Sequence, residues 1–250
     1  MSVNIFKNIV NQDHLKTFIQ WFNKKDKLLD ERPDMTSKSP SLKKNNWPKK
    51  LLLDICNKVQ NEPYKIDEIY FVKQYNSSAF KIHCDSGKSQ KNLYKNIIIP
   101  LEIKGGGNTI IFDNHWHGNE CVFTKIPVPQ YEYTLKVKGK LKYFEDIRKY
   151  KTTDKKLNAE IKRLIKLRKN RTPRQHDYSK VTNLSSKPFP KNVYKKYLSH
   201  IPYVNLEGLT LLKNIKWRLK EVYTFDRTHL HTGTNSHHYK SYITIFTSRI

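Results

Sequence analysis

Residues able to do chemistry fall in two stretches of the 250-residue chain. The first runs Tyr75-Asn-Ser-Ser-Ala-Phe-Lys-Ile-His-Cys-Asp85, behind the strand-forming run Ile69-Tyr-Phe-Val72. Side chains alternate between the faces of an extended chain, so His83 and Asp85 share one face, while Phe80, Ile82 and Cys84 share the other. An imidazole and a carboxylate two residues apart on a strand can both reach one metal ion, although His-x-Asp by itself is a weak signal. The second stretch is Phe225-Asp-Arg-Thr-His-Leu-His-Thr-Gly233 followed by Tyr239-Lys-Ser-Tyr-Ile-Thr-Ile-Phe-Thr247. It offers His229 and His231 on one predicted strand and a cation, Lys240, on the next. Alternation puts both histidines on the same face and does not choose between them.

In order and spacing these residues resemble the Fe(II)/2-oxoglutarate-dependent oxygenases, in particular the prolyl-hydroxylase-like branch with many viral and microbial members. Tyr75 precedes His83 by eight residues, His83-x-Asp85 ends a strand, His231 lies near the end of the domain, and Lys240 follows nine residues later. The Leu-His-x-Gly context and the nine-residue interval favour His231 over His229. The resemblance covers residues 66–145 and 206–250. It implies a metal site of His83, Asp85 and His231, a facial triad that leaves three positions open on Fe(II). It also implies a 2-oxoglutarate site made by Tyr75, Lys240 and Tyr242, with Lys240 meeting the far carboxylate. The family often has Ser where Tyr242 stands. The implied reaction consumes O2 and 2-oxoglutarate, releases succinate and CO2 and hydroxylates a substrate the sequence does not identify, with ascorbate as an optional reductant. The implied fold is a double-stranded β-helix (jelly roll), mainly β with flanking helices. Two other readings compete: a non-catalytic basic nucleic-acid-binding module on the same fold, and a cupin-like metal enzyme without 2-oxoglutarate, which would need neither Lys240 nor Tyr75.

The elements that must position these residues follow from hydrophobic period. Leu15, Phe18, Ile19 and Phe22 behind the capping Asn11 predict a helix over 12–31, with Trp21 one position off the stripe. Arg32–Lys50 holds three prolines and reads as a loop, and Leu51, Leu52, Ile55, Cys56 and Val59 predict a second helix over 49–61. These two helices, within residues 1–65, should brace a sheet. Strands are predicted at 68–75, 79–85, 96–101, 108–113, 131–144, 221–225 and 240–248, with Ile215, Trp217 and Leu219 leading into the strand at Glu221 and residues 229–231 re-entering after a turn. The last strand should turn Lys240, Tyr242, Thr244 and Phe246 to the barrel interior. His115-Trp-His117 is a second chelating pair, but no matching carboxylate-plus-His set follows it. It is therefore read as a loop or pocket rim, with Trp116 lining the substrate entrance. Residues 146–205 are Lys/Arg-rich, with a helix near 154–170, and read as an insertion within one oxygenase domain spanning 1–250.

The chain carries 48 Lys and Arg against 22 Asp and Glu, a formal charge of +26. Such a field attracts polyanions, and nucleic acid binding through the basic insertion is the expectation drawn from it. An AT-rich coding bias toward Lys, Asn, Ile and Tyr is the competing explanation. Cys56, Cys84 and Cys121 form no Cys-x-x-Cys pair or even set, which predicts a reducing, intracellular setting. No apolar run approaches 18 residues and Met1–Val10 lacks a signal-peptide core, so no membrane insertion is expected.

Overall fold

The computed structural model describes residues 3–23, 30–32, 35–40, 47–74, 82–85, 92–105, 107–116, 134–137, 140–143, 151–169, 180–234 and 239–250. Twelve strands form among them. The larger sheet takes β1 (Asn4–Lys7), β10 (Glu221–Asp226), β5 (Leu93–Ile103), β12 (Lys240–Arg249), β4 (Tyr64–Gln74), β3 (Met35–Lys38) and β2 (Asp30–Arg32), in that spatial order and with every pair antiparallel. The smaller sheet is β11 (His229–Gly233), β6 (Asn108–His115) and β9 (Leu211–Lys216). Residues 82–85 extend it beyond β11, because His83 and His231 exchange backbone hydrogen bonds of 3.0 and 2.8 Å. The chain thus passes repeatedly between two facing sheets, giving a double-stranded β-helix, mainly β with flanking helices. β7 (Thr134–Val137) and β8 (Lys140–Tyr143) form a separate hairpin.

Three apolar clusters hold the main unit together. The outer face of the larger sheet, with Ile69, Phe71, Ile97, Ile99, Ile243 and Ile245, packs on helices α1 (Gln12–Phe22) and α2 (Lys49–Val59). Asn11 caps α1 by accepting from the His14 amide at 2.9 Å, and His14 Nδ1 takes the acceptor role usual for Glu in a capping box. Trp21, off the predicted stripe, is nevertheless buried. It lies three residues from Phe18, on the same side of the helix, and its ring sits 4.6 Å from that of Phe71. The space between the sheets holds Val72, Ile98, Ile111, Ile215, Trp217, Tyr223, Phe225 and Tyr242. The outer face of the smaller sheet is covered by residues 180–206, through Val181, Phe189, Leu198, Ile201 and Leu206. Part of this cover is a short helix, α4 (Lys191–Val193), that continues as a π-helical turn over Tyr194–Leu198. Pro100 is accommodated in the central strand β5 beside an irregularity, where Tyr242 pairs with Pro100 and Ser241 with Glu102.

Several expectations are corrected. The first helix ends at Phe22, not near residue 31, and residues 30–32, at the end of the expected helix and start of the expected loop, and 35–38, within that loop, are strands lengthening the larger sheet. Residues 211–216 form their own strand in the smaller sheet, separated from β10 by a turn in which Lys220 adopts φ 68°. Trp116 is 2% exposed and belongs to the cluster beneath residues 180–206, so it does not line an entrance. Contacts divide the chain into a main unit, residues 1–123 and 177–250, and a second unit, residues 124–176. The sequence reading drew the insertion at 146–205. The second unit spans 124–176, and residues 180–206 supply core to the main unit. Within the second unit lie the β7–β8 hairpin and helix α3 (Lys155–Lys169). Among the described residues no helix is long and apolar enough to cross a membrane.

Candidate metal centre

β11 and the 82–85 segment are neighbours, so the two distant stretches of sequence meet side by side. Ligand-capable atoms of His83, Asp85 and His231 lie within 4.8 Å of one another. His231 Nε2 is 3.2 Å from Asp85 Oδ2, and His83 Nε2 is 4.0 Å from Asp85 Oδ1. For metal–ligand bonds of about 2.1 Å, adjacent octahedral ligands sit about 3 Å apart, so small adjustments would close the three onto one ion. Among the described residues this is the one group of three or more His, Cys, Asp or Glu gathered in this way.

Neighbouring groups orient each ligand. His231 Nδ1 donates to the carbonyl oxygen of His229 at 3.0 Å, which leaves Nε2, beside Asp85, as the nitrogen that would ligate a metal on giving up its proton. The amide of Asn96 on β5 donates to Asp85 Oδ2, and Thr244 on β12 donates to Asn96 Oδ1 at 2.8 Å. A chain of hydrogen bonds therefore runs from the larger sheet to the carboxylate. Arg227 donates from Nε to the Asp85 carbonyl oxygen at 2.8 Å, while its own carbonyl accepts from the Asp85 amide at 2.9 Å. The same guanidinium binds Asp67 at 2.6 Å and the Thr247 carbonyl at 3.1 Å. Burial alone would raise the Asp85 pKa, but the charge and hydrogen bond of His231, then the charges of His83 and Arg227, hold it below the usual carboxylate range. For His231 burial opposes the charged form, and Asp85 outweighs it and raises the imidazole pKa.

His229 does not join the group. Its ring stacks on His115 at 4.0 Å and its Nδ1 donates to the Phe112 carbonyl at 2.8 Å. The register between β11 and β6 shifts here: His229 pairs with His115 but His231 with Ile111, so two steps on β11 oppose four on β6 and the extra residues lie on β6. Burial, followed by the neighbouring His115, lowers the His229 pKa to about 4, which keeps it neutral at ordinary pH. His115 itself ends β6, its Nδ1 2.8 Å from Thr228 Oγ1. His117 lies outside the described residues.

Lys240 opens β12 with its side chain in the space between the sheets. It is 4% exposed, and Nζ sits 4.4 Å above the Trp217 ring and 5.8 Å from that of Tyr242. Trp217 is itself fixed by a 2.8 Å hydrogen bond from Nε1 to Thr109. Among the described residues no carboxylate pairs with Lys240, and burial lowers its pKa to about 8. Phe225 links the two places: its ring meets that of His231 edge-on at 4.8 Å, and it belongs to the same interior cluster as Trp217 and Tyr242. Tyr75 lies outside the described residues. Sequence reasoning missed Asn96, Thr244 and Arg227. Asn96 carried a signal, as an amide inside the otherwise apolar run Asn96-Ile-Ile-Ile99.

No family model and no curated protein matches the chain. Among solved structures it is similar to an oxidoreductase of the 2OG-Fe(II) oxygenase family from Burkholderia pseudomallei, at 10% identity over 99% of this chain and 84% of that one, with a TM-score of 0.43. It is also similar to HygX from Streptomyces hygroscopicus with nickel, 2-oxoglutarate and hygromycin B bound, at 10% identity over 99% and 82%, with a TM-score of 0.47. The iron-bound form of HygX gives 9% identity over the same shares, with a TM-score of 0.45.

Proposed function

We propose that the protein is an Fe(II)- and 2-oxoglutarate-dependent dioxygenase that hydroxylates an organic substrate, and that it belongs with the prolyl-hydroxylase-like branch. The observation that carries this reading is Lys240. An ammonium buried between two sheets, with no anionic partner among the described residues, is costly to keep. The far carboxylate of a 2-oxo diacid would satisfy it through a charge-assisted hydrogen bond. A metal enzyme on the same scaffold that used no 2-oxo acid would have no need for it. The donors at the other end fit the metal: two imidazole nitrogens and one carboxylate suit Fe(II) and leave positions open. When bound, iron and 2-oxoglutarate supply the oxidising chemistry, with succinate and CO2 as co-products.

The work of the chain's own residues is positional. His83, Asp85 and His231 hold the ion, and the bond from His231 Nδ1 to the His229 carbonyl fixes the ligating tautomer. Asn96 keeps the Asp85 carboxylate from rotating away, and Arg227 holds the Asp85 backbone. Trp217 and Tyr242 wall the Lys240 ammonium from water. Tyr75 joins the co-substrate site on its spacing from His83. With Fe(II), air and 2-oxoglutarate, the full-length protein should form succinate slowly even without a prime substrate, and Asp85→Ala should not. If the intact protein neither formed succinate nor bound 2-oxoglutarate, the proposal would fail.

A further inference from the structure

The excess positive charge is not spread evenly over the molecule. Residues 124–176, the second unit, contain 17 Lys and Arg against 5 Asp and Glu, a net charge of +12 in 53 residues. The other 197 residues carry +14. Acidic residues are about equally frequent in the two parts, so the difference comes from added cations and not from missing anions. A coding bias toward Lys would act along the whole chain, and it would not enrich arginine. Yet five of the nine arginines lie in this unit, at 148, 163, 168, 171 and 174.

Helix α3 concentrates the charge further. Over Lys155–Lys169 it holds seven cations and one acid, Glu160, which is taken up by Arg163 at 2.6 Å. Lys162 and Lys166 are one helical turn apart, and such like-charge pairs disfavour a helix until counter-charge arrives. Among the described side chains of the helix, Ile161 is buried and Leu157 half-buried, while Lys155, Lys156, Lys162 and Arg163 are exposed. A helix acting on a bilayer would instead keep its apolar stripe free to insert. The sequence of the unit also interleaves five aromatic residues with the cations, at 131, 133, 143, 144 and 150, and aromatic rings beside cations suit bases as well as phosphates.

We infer that the 124–176 unit is a nucleic-acid-binding element that engages the phosphate backbone through α3. This goes beyond the dioxygenase reading and does not depend on it. The test uses the full-length protein and a fluorescently labelled 30-nucleotide single-stranded RNA and 30-base-pair DNA, with binding followed by anisotropy from 50 to 300 mM salt. Counterion release predicts a linear log–log fall, with a slope of about −0.7 to −0.9 per phosphate contact. Changing Lys155, Lys156, Lys162 and Arg163 together to Gln should weaken binding at least tenfold at 100 mM salt and make the slope shallower by about 2 to 3. Changing four exposed lysines of the main unit, Lys7, Lys16, Lys58 and Lys213, to Gln removes the same charge and should change binding less than threefold. Equal losses in the two variants would overturn the inference in favour of diffuse attraction to a cationic protein. So would absence of binding at 50 mM salt, or tighter binding to phosphatidylserine vesicles than to either nucleic acid. The α3 variant should keep the metal affinity of the parent, which separates this result from any failure of the dioxygenase reading.

Discussion

His229 and His231 are two residues apart and both donate from Nδ1 to a backbone carbonyl, yet only His231 reaches Asp85, and the difference is one of backbone register. Replacing His83, Asp85 or His231 by Ala should therefore abolish stoichiometric Fe(II) binding, while His229→Ala keeps most of it; equilibrium dialysis against iron distinguishes the cases, and equal loss in His229→Ala would exchange the two histidines' roles. Asn96 touches no proposed open position, but it fixes one oxygen of Asp85. Asn96→Ala should weaken metal affinity by about 10- to 100-fold, the range usual for partners that orient a ligand, with little change in the affinity of Lys240 for a carboxylate. Lys240 gives a pH prediction. Its pKa is about 8 in the free protein and rises when a carboxylate binds, since the anion favours the ammonium. Below pH 8 the proton is already present and 2-oxoglutarate affinity should be flat. Above pH 8 it should weaken by up to about tenfold per unit. Lys240→Ala should lose on the order of 2–5 kcal/mol of co-substrate binding and all of this pH dependence. A wild-type profile that stays flat to pH 9.5 would point to a different anchor.

At the scale of elements, the site depends on two long-range pairings, residues 82–85 with β11 and β5 with β12. Arg227 ties them together by holding the Asp85 backbone while gripping Asp67 on β4 and Thr247 on β12. Arg227→Met should cost about 3 kcal/mol, at the low end for breaking a buried pair because Asp67 is partly exposed, measured as a shift in the urea unfolding midpoint. It should also loosen the metal. Phe71, fully buried against Phe18, Trp21 and Phe22, should cost about 3–5 kcal/mol as Phe71→Ala without affecting metal stoichiometry in the folded fraction. What could be read from the sequence follows the same division. Period located both helices and most of the strands, because burial imposes a period on local sequence; alternation put His83 and Asp85 on one face, and the family resemblance singled out Lys240. They did not locate the shifted register between β11 and β6, the strands β2 and β3 at one end of the larger sheet, or the Asn96–Thr244 relay. Those depend on which strands become neighbours, and no local pattern encodes that. The 180–206 segment was misassigned for the opposite reason: its many lysines hide Phe189, Leu198 and Ile201, which are spaced irregularly and are buried by a turn-rich cover, not by a regular helix.

Over the whole molecule, a net charge of +26 destabilises the compact state at low salt, and buried neutral histidines add an acid limit. Burial lowers the His200 pKa to about 4 from an ordinary 6.5. Between those values the unfolded chain binds more protons than the native one, so stability falls as pH drops from about 6.5 to about 4. His229 acts in the same direction. Thermal unfolding across this window should show a falling Tm, with a shallower fall in His200→Gln; an unchanged slope would assign the acid limit to other groups. The central claim is that the 83–85 segment, β11 and β12 together make one site for Fe(II) and 2-oxoglutarate. The most direct measurement is anaerobic addition of Fe(II) and then 2-oxoglutarate to the full-length protein, followed by visible absorption. A metal-to-ligand charge-transfer band should appear only after the second addition, saturate at one equivalent of iron, be absent in Asp85→Ala and require far more 2-oxoglutarate in Lys240→Ala. Stoichiometric iron binding with no band at any 2-oxoglutarate concentration would contradict the account and leave a metal protein of another kind.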